Sequence, residues 1–350
     1  MTRVDAEAKQ ATPSPWRPGA GGAGDLLPRR WPMRTWLTER FSLKVPVVCA
    51  PMAGVAGGRL AAAVCNAGGL GMIGVGDKTT PDWIVDECRF MRSTGRSFGI
   101  GLQAWALPLN SGQLEAAMAS GASVVSLSYG AYETYVEGFR SSGMVVATAV
   151  GNVREALAAH EAGVDLIIAR GAEGGGHGRN DIGTLALLQT VLDAVATPVI
   201  AAGGIGSSRG LAAVIAAGAV GAWVGTAFTA TPESTTTPNA RKRLVAAQDT
   251  ATVYTTLFDV AAGARWPAEF GERALRNDFY GLWEGREPQL SKDPDALRAM
   301  ADARLIDDVD VTCIDAGQGV GMLRSDRAAS EVIREFARAS DLLRAAAAQG

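Results

Sequence analysis

Eight short apolar runs recur along the chain and alternate with longer segments of helical periodicity. They are residues 45–50, 70–75, 98–102, 123–127, 144–149, 164–169, 198–202 and 221–225. Each run is continuously apolar, as expected of parallel strands whose two faces are both covered. Successive runs lie mostly about 20 to 30 residues apart, which leaves room for one crossover helix each time. The pattern predicts an α/β protein with a (β/α)8 TIM barrel.

Boundary signals between the runs support this prediction. Four helical segments end in a small residue followed by glycine, which can close a helix in the left-handed conformation. These glycines are Gly68, Gly121, Gly163 and Gly218. Thr80 followed by Pro81 is typical of a helix start, and Asn152 with Glu155 resembles a capping box.

The ends of the chain depart from this rhythm. Residues 1–40 are rich in Pro, Gly and Ala and predict a partly disordered extension. Trp16, Trp31 and Trp36 could attach its later part to the body. A final helix at about 328–348 is expected to close the barrel.

A second departure follows the eighth run. We expect the barrel to comprise residues 41–230 and 312–350, with a mostly helical insertion at 231–311. The insertion has many charges and aromatic residues but no apolar run typical of a strand. Its aromatic residues could form a lid or substrate wall, and a small satellite core is an equally good interpretation for most of them.

Composition and charge narrow the class of protein. The chain has 350 residues, 33 basic against 36 acidic, and this near-neutral balance argues against nucleic-acid binding. Residues 211–231 carry no charge, but a helix stop at Gly218 divides them into a buried helix and a strand. No signal peptide is recognised and no membrane span is expected. We therefore expect a cytoplasmic enzyme for a small molecule, with a homodimer allowed.

The cysteines give no sign of a metal centre. Cys49, Cys65, Cys88 and Cys313 form no C-x-x-C pair and accompany no histidine cluster. Free thiols in a reducing cytosol are the expected state, and no metal is predicted.

Glycine-rich loops follow the seventh and eighth runs, where barrels of this type usually bind phosphate. Gly203, Gly204 and Gly206 precede a predicted helix start at Ser207-Ser208, and Gly225-Thr226 follows the eighth run. Backbone amides and a helix N-terminus favour an anion. A dinucleotide fingerprint is rejected, because the third glycine falls one residue late, at Gly210, and Val224 stands where an acid should hold the ribose. A mononucleotide such as FMN is expected instead.

His177 is the strongest catalytic candidate. It lies among glycines after the sixth run, at the catalytic end of the barrel, and imidazole titrates near neutrality. The only other histidine, His160, is expected on the surface of a helix. Glu173 could serve as an acid or base, or fix the loop through a hydrogen bond.

Taken together, these segments resemble the nitronate monooxygenase family, formerly called 2-nitropropane dioxygenases. The matching text is APMAGVAGGRLAAAVCNAGGLGMIG at 50–74, GAEGGGHG at 171–178, PVIAAGGIGSSRGLAAVIAAGAVGAWVGTAFTATPES at 198–234, NDFYGLWEGRE at 277–287 and AGQGVGMLR at 316–324. The resemblance covers residues 45 to 350 and implies an FMN-dependent flavoprotein without a metal. Such enzymes oxidise alkyl nitronates, such as propionate 3-nitronate, with O2 to a carbonyl compound and nitrite.

The resemblance also assigns roles to residues. His177 would act as base or orient the substrate. The implied FMN-binding residues are Ala50, Pro51 and Met52 near the ring, Gly175 and Gly176 behind it, Gly203, Gly204, Gly225 and Thr226 at the phosphate, and Gln103, Arg170 and Gly171 nearby.

Three positions depart from the family pattern. Cys49 and Arg170 stand where members often carry Gln, and Gly101 stands where they often carry Asn. We hypothesise that Arg170 stabilises an anionic flavin or substrate, or else turns away to pair with a carboxylate. The departures leave the subfamily and the substrate open. Two other functions also stay open: an FMN-dependent enoyl-acyl-carrier-protein reductase using NAD(P)H, or a related flavin oxidoreductase, and a non-catalytic binder of a flavin or phosphate ligand.

Overall fold

The structure, a computed structural model, describes residues 33–349. Most of the predicted N-terminal extension, including Trp16 and Trp31, lies outside the described residues. Helix α1 (Trp36–Phe41) already belongs to the body, because Leu37 is fully buried and Trp36 packs on the same core.

Eight parallel strands form the barrel that the apolar runs predict, and each strand lies within its run or extends one residue beyond it. They are β1 (Val47–Cys49), β2 (Met72–Gly74), β3 (Gly99–Gln103), β4 (Val124–Ser128), β5 (Val145–Val150), β6 (Leu166–Arg170), β8 (Val199–Ala202) and β9 (Ala222–Val224). A two-residue strand, β7 (Gly176–His177), follows β6 outside the barrel. The order is β1-β9-β8-β6-β5-β4-β3-β2, and a bridge between Val48 and Leu70 links β1 to the chain entering β2.

Helices surround the barrel in the order that the sequence predicts. They are α2 (Gly58–Ala67), α3 (Pro81–Arg92), α4 (Ser111–Met118), α5 (Glu133–Ser141), α6 (Val153–Glu161), α7 (Thr184–Ala194), α8 (Ser208–Ala216) and the short α9 (Thr226–Thr229). The four predicted glycines adopt positive φ, from +77° to +108°. Thr80 caps α3 through the amide of Trp83, and Asn152 caps α6 through that of Glu155.

Two layers of apolar side chains hold the barrel. The outer layer fills the space between strands and helices, with Leu60, Ile100 and Leu187 fully buried. The inner layer fills the barrel near the strand N-termini, where Leu37 of α1 packs beside Gly221. Because this end is filled, open space is left at the C-terminal ends of the strands.

The insertion is mostly helical, but it also contains two strands that the sequence analysis did not predict. Its elements are α10 (Pro238–Ala246), β10 (Thr252–Thr255), α11 (Leu257–Ala262), β11 (Glu272–Leu275), α12 (Asp278–Trp283), α13 (Glu287–Leu290) and α14 (Pro294–Ile306). β11 pairs antiparallel with both β10 and β7, and this register sets Glu272 opposite His177. The sequence analysis missed β11 because this strand begins with the charged residues Glu272 and Arg273 and so forms no apolar run.

Most aromatic residues of the insertion form the satellite core that the sequence left open. Phe258, Phe279 and Tyr280 are buried there. Trp266 lies instead at the barrel mouth, where it lines the cavity, as does one side of Phe258. Whether these residues contact a substrate stays a prediction.

The predicted final helix is divided into α15 (Ala329–Phe336) and α16 (Ala339–Ala347). α15 packs on α2, whereas α16 packs on α8, so a break lets the segment follow the curve of the barrel. Two 3-10 helices complete the description, at Ala104–Leu109 and Gln318–Met322. Within residues 33–349, no helix combines the length and apolar character needed to cross a membrane.

Candidate active site

A cavity of about 720 Å³ opens at the C-terminal ends of the barrel strands. It brings together nearly all the residues that the sequence analysis selected. Those lining it are Ala50, Pro51, Met52, Gln103, Arg170, Gly175, Gly176, His177, Gly203, Gly204, Gly225 and Thr226. The exception is Gly171, which does not line the cavity. A Cβ at Gly171 would overlap the backbone of Thr184, so a glycine is needed here for α7 to pack closely, and its contact with the cofactor stays a prediction.

The glycine loop after β8 presents bare backbone to one end of the cavity. Gly203 and Gly204 have φ of +107° and +67°, conformations that other residues rarely adopt. The amides of Gly204 and Gly206 donate no hydrogen bond within the described part of the chain. Such convergent free amides at the beginning of a helix suit an anionic group.

The opposite wall is formed after β1 and β3. A Cβ at Gly101 would overlap the ring of Pro51, so the Asn that family members often carry does not fit at this position. Next to it, Oε1 of Gln103 is buried and has no hydrogen-bond partner among the described residues. A buried polar atom of this kind requires a partner, and here the cavity is where one would bind.

Arg170 is buried and fixes the loop that carries His177. Its Nη2 donates to the carbonyls of Gly174 (2.9 Å), Gly175 (3.2 Å) and Gly176 (2.9 Å), and Nη1 donates to that of Arg179 (3.1 Å). Burial lowers the pKa of its guanidinium, and no carboxylate pairs with it within residues 33–349. Of the two predicted roles, carboxylate pairing is therefore wrong, and the hydrogen bonds found go to the loop.

Glu173 has the loop-fixing role that the sequence left as one of two alternatives. Its Oε2 accepts hydrogen bonds from the amide and the hydroxyl of Thr184, both at 2.6 Å. Because Thr184 is the first residue of α7, the carboxylate also satisfies a free amide at a helix N-terminus.

The imidazole of His177 is held by two residues of the insertion. Its Nε2 lies 2.9 and 3.1 Å from the carboxylate oxygens of Asp259. The ring stacks on Trp266, with centroids 3.5 Å apart and planes inclined by 6°. If Nε2 carries the hydrogen that Asp259 accepts, Nδ1 keeps a lone pair and can receive a proton, and Asp259 stabilises the resulting imidazolium.

More acidic groups surround this pair. Glu272 is 4% exposed, and its Oε2 accepts from the Cys313 thiol at 3.3 Å. Asp315 exposes its side chain to the cavity. Burial, with the neighbouring carboxylates, raises the pKa of Glu272 well above its usual range. Although Asp315 is open to the cavity, the protein around it keeps bulk water away, and this desolvation together with the charge of Asp259 raises its pKa as well.

Aromatic residues complete the cavity wall. Trp266 contacts Trp105 and Tyr129, with ring centroids 5.4 and 5.3 Å apart. Tyr129 has φ of +68°, an uncommon conformation for a bulky residue, and the amide of Trp105 donates to its carbonyl at 3.0 Å.

The sequence analysis missed Asp259, Glu272, Asp315 and Tyr129, whereas Trp266 belongs to the insertion aromatics that it allowed as a substrate wall. Asp259 is 82 residues from His177 and belongs to no motif, so its role follows only from the fold. Tyr129-Gly130 was the one readable signal, because it directly follows β4 at the catalytic end of the barrel.

Of the other histidine and the four cysteines, Cys313 alone lines the cavity. His160 is exposed, with Nδ1 2.7 Å from the hydroxyl of Thr197. The four cysteines are free thiols, as predicted, and burial raises the pKa of Cys65 and Cys88 to about 11.

Comparisons with known proteins agree with this geometry. A family model described as nitronate monooxygenase matches residues 34–106 and 103–338. A curated relative, (3aS,4S,5R,7aS)-5-hydroxy-7a-methyl-1-oxo-octahydro-1H-indene-4-carboxyl-CoA dehydrogenase of Mycobacterium tuberculosis, is 36% identical over 230 residues, 65% of this chain and 64% of that protein. The chain therefore matches just under two thirds of that relative's length.

Two solved structures share the fold over nearly all of their length. FabK from Thermotoga maritima has a TM-score of 0.79 and 27% identity, covering 91% of this chain and 99% of that chain. Nitroalkane oxidase from Streptomyces ansochromogenes has a TM-score of 0.76 and 31% identity, covering 89% and 99%.

Proposed function

The chain belongs to the nitronate monooxygenase family, and from this premise we propose that it oxidises alkyl nitronates with O2 and bound FMN to a carbonyl compound and nitrite. The family is one of oxidoreductases. The observation that carries the proposal is the His177–Asp259 pair, which faces the same cavity as the glycine cradle after β8. The proposed base, His177, and the proposed phosphate site after β8 therefore border the same cavity.

Three features of the cavity fit FMN. Its volume of about 720 Å³ suits a cofactor of this size. The free amides of Gly204 and Gly206 match a single phosphate, and the unpartnered Oε1 of Gln103 can accept from a ring N–H. When bound, the flavin supplies the electron transfer, and the protein supplies position and charge.

His177 supplies the proton chemistry. With a neutral nitroalkane, Nδ1 takes the α-proton, while Nε2 keeps its own hydrogen and donates it in the hydrogen bond to Asp259. With a preformed nitronate no proton has to be removed, and the imidazole then only orients the substrate. Trp266 restricts rotation of the ring, and the Arg170 hydrogen bonds fix the backbone that carries it.

The test uses the purified holoprotein under anaerobic conditions. We expect a yellow protein that releases FMN, identified by mass, and whose flavin absorbance is bleached by an alkyl nitronate without NADH. Admission of O2 should restore the colour and release nitrite. Bleaching by NADH or NADPH, with none by the nitronate, would contradict the proposal.

That second outcome defines the alternative function, an FMN-dependent NAD(P)H enoyl-acyl-carrier-protein reductase. The sequence resemblance left this function open, and the 27% identity to FabK, another oxidoreductase with this fold, favours keeping it as the second candidate. A protein without flavin would contradict both.

A further inference from the structure

The cavity wall beside His177 carries negative groups that lack positive partners. Asp259 pairs with His177, but neither Glu272 nor Asp315 forms an ion pair within 4.0 Å in residues 33–349. Arg304 also lines the cavity, and its charge acts on Glu272 from a distance. Arg170 acts on Asp315 in the same way while its hydrogen bonds go to carbonyls.

One oxygen of Glu272 is buried and has no partner. Cys313 donates to Oε2 at 3.3 Å and lies 3.9 Å from Oδ1 of Asp315, while Oε1 of Glu272 accepts nothing among the described residues. One carboxylate oxygen each of Glu272 and Asp259 and one ring nitrogen of His177 all lie within 4.8 Å of one another. A buried carboxylate oxygen without a hydrogen-bond donor calls for a proton or a bound cation.

Aromatic rings border the same space. Trp266 and Tyr129 both line the cavity, and their ring planes meet at 70°. The faces of such rings attract ammonium groups, most strongly where water is excluded. Carboxylates next to an aromatic corner form a pocket for an organic cation.

We infer that Glu272 and Asp315 bind an alkylammonium group of the substrate beside His177. On the proposed function, the preferred substrate is then a zwitterionic aminoalkyl nitronate. Propionate 3-nitronate, with a second negative charge, is disfavoured because its carboxylate would meet those of the protein. The raised pKa values of Glu272 and Asp315 agree with a site for a cation, because without a bound cation each carboxylate binds a proton more readily.

The first experiment measures binding without turnover. Butylammonium, butanoate and butan-1-ol are titrated into the holoenzyme by calorimetry, in a buffer free of Tris and ammonium ions. We expect butylammonium to bind at least tenfold more tightly than butanoate. Glu272→Gln and Asp315→Asn, which keep side-chain shape, should each weaken butylammonium binding at least fivefold and leave butan-1-ol unchanged.

The matched control removes one charge from another part of the same cavity. Asp77 lines the cavity on the loop after β2, and Asp77→Asn should change butylammonium binding less than twofold. Equal binding of butylammonium and butanoate, or equal loss in all three variants, would overturn the inference. Tight Zn²⁺ binding that is lost in Glu272→Gln and in Cys313→Ser, without ammonium binding, would overturn it in favour of a metal site.

The second experiment separates this inference from the proposed function. Values of kcat/KM are compared for 3-aminopropyl-1-nitronate, propyl-1-nitronate and propionate 3-nitronate, and we expect them to fall in that order. An inverted order overturns the inference and leaves the proposed function standing. If none of the three is oxidised, the proposed function fails, while ammonium binding that depends on Glu272 and Asp315 still supports the site.

Discussion

His177 depends on residues far from it in sequence. Asp259 orients one ring nitrogen, Trp266 covers one ring face, and Glu272 lies opposite it across two paired strands. A free imidazole on a glycine loop would rotate, so these contacts fix the ring in one orientation, which its proposed role as a base requires. Replacing the ring should therefore affect proton transfer more than cofactor binding.

Replacement of His177 by Asn tests that assignment. His177→Asn should retain FMN and lose about 100-fold or more in kcat/KM with neutral nitroalkanes, because no base removes the α-proton. The loss with preformed nitronates should be smaller. Nitrite release and O2 uptake measure both, and His160→Asn, at the exposed histidine, is the control. Equal activity of His177→Asn and wild type on both substrate classes would remove His177 as the base.

Glu272 makes stability depend on pH. Burial and the charges of Asp315 and Asp259 raise its pKa in the folded protein well above the unfolded value. Its protonated form therefore contributes stability that is fully present below the unfolded pKa, about 4.3, and is lost as pH rises through the folded pKa.

In the variant Glu272→Gln, the side chain at position 272 is uncharged at every pH. Its free energy of unfolding should therefore rise relative to wild type as pH is raised from about 4 towards 8, as measured by urea unfolding of the ligand-free protein. A difference that is constant with pH would contradict the raised pKa.

At the scale of elements, one arginine determines the shape of the loop between β6 and β7. Three consecutive glycine carbonyls converge on Nη2 of Arg170. In Arg170→Gln, the glutamine side chain is too short to reach these carbonyls, so they are left buried without a hydrogen-bond donor. We expect a loss of roughly 3 kcal/mol in the free energy of unfolding, because each such group is worth about 1–3 kcal/mol.

The same variant should also lose activity, since β7 carries His177. Arg154→Gln, at an exposed position on α6, is the matched control and should stay within about 0.5 kcal/mol of wild type. Unchanged stability in Arg170→Gln would mean that the loop holds its shape without the guanidinium.

The elements also differ in how well the sequence predicts them. All eight barrel strands were predicted, because strands buried on both faces are apolar throughout. β11 was missed because it buries Glu272 and Arg273, and a charged strand resembles a loop in sequence. Arg273 is held there by donating to the carbonyl of Ala172 and the side chain of Asn180, contacts that only the fold creates.

The residues of the candidate site also differ in how well the sequence predicts them. The positions of Gly203 and Gly204 at the C-terminal end of a strand could be predicted from the sequence, and the structure places both on the cavity wall. That they bind a cofactor stays a prediction. Asp259 and Trp266 lie in the insertion, where no periodicity locates them. The partner of a catalytic residue is set by tertiary structure, so no local pattern could reveal it.

At the scale of the whole molecule, the last two helices complete the ring around the barrel. Phe336 of α15 is 1% exposed within the core shared with α2. Phe336→Ala should lower the free energy of unfolding by about 3–5 kcal/mol, through lost burial and the cavity left behind.

Urea unfolding measures this effect. Leu305→Ala, at a side chain that is 85% exposed on α14, is the control and should change stability by no more than about 0.5 kcal/mol. A small effect of Phe336→Ala would mean that the barrel stays closed without this contact.

The pairing of β7 with β11 brings together two stretches of chain with separate tasks. The barrel carries the imidazole and the cofactor cradle, whereas the insertion supplies Asp259, Trp266 and Glu272 around the reacting centre. On the proposed function, substrate contacts and the cofactor cradle would then lie on different stretches of the chain, so the first could change while the second is kept. Because Asp315 lies just beyond residue 311, chimaeras between relatives should exchange residues 231–315, so that both carboxylates of the proposed ammonium site move together.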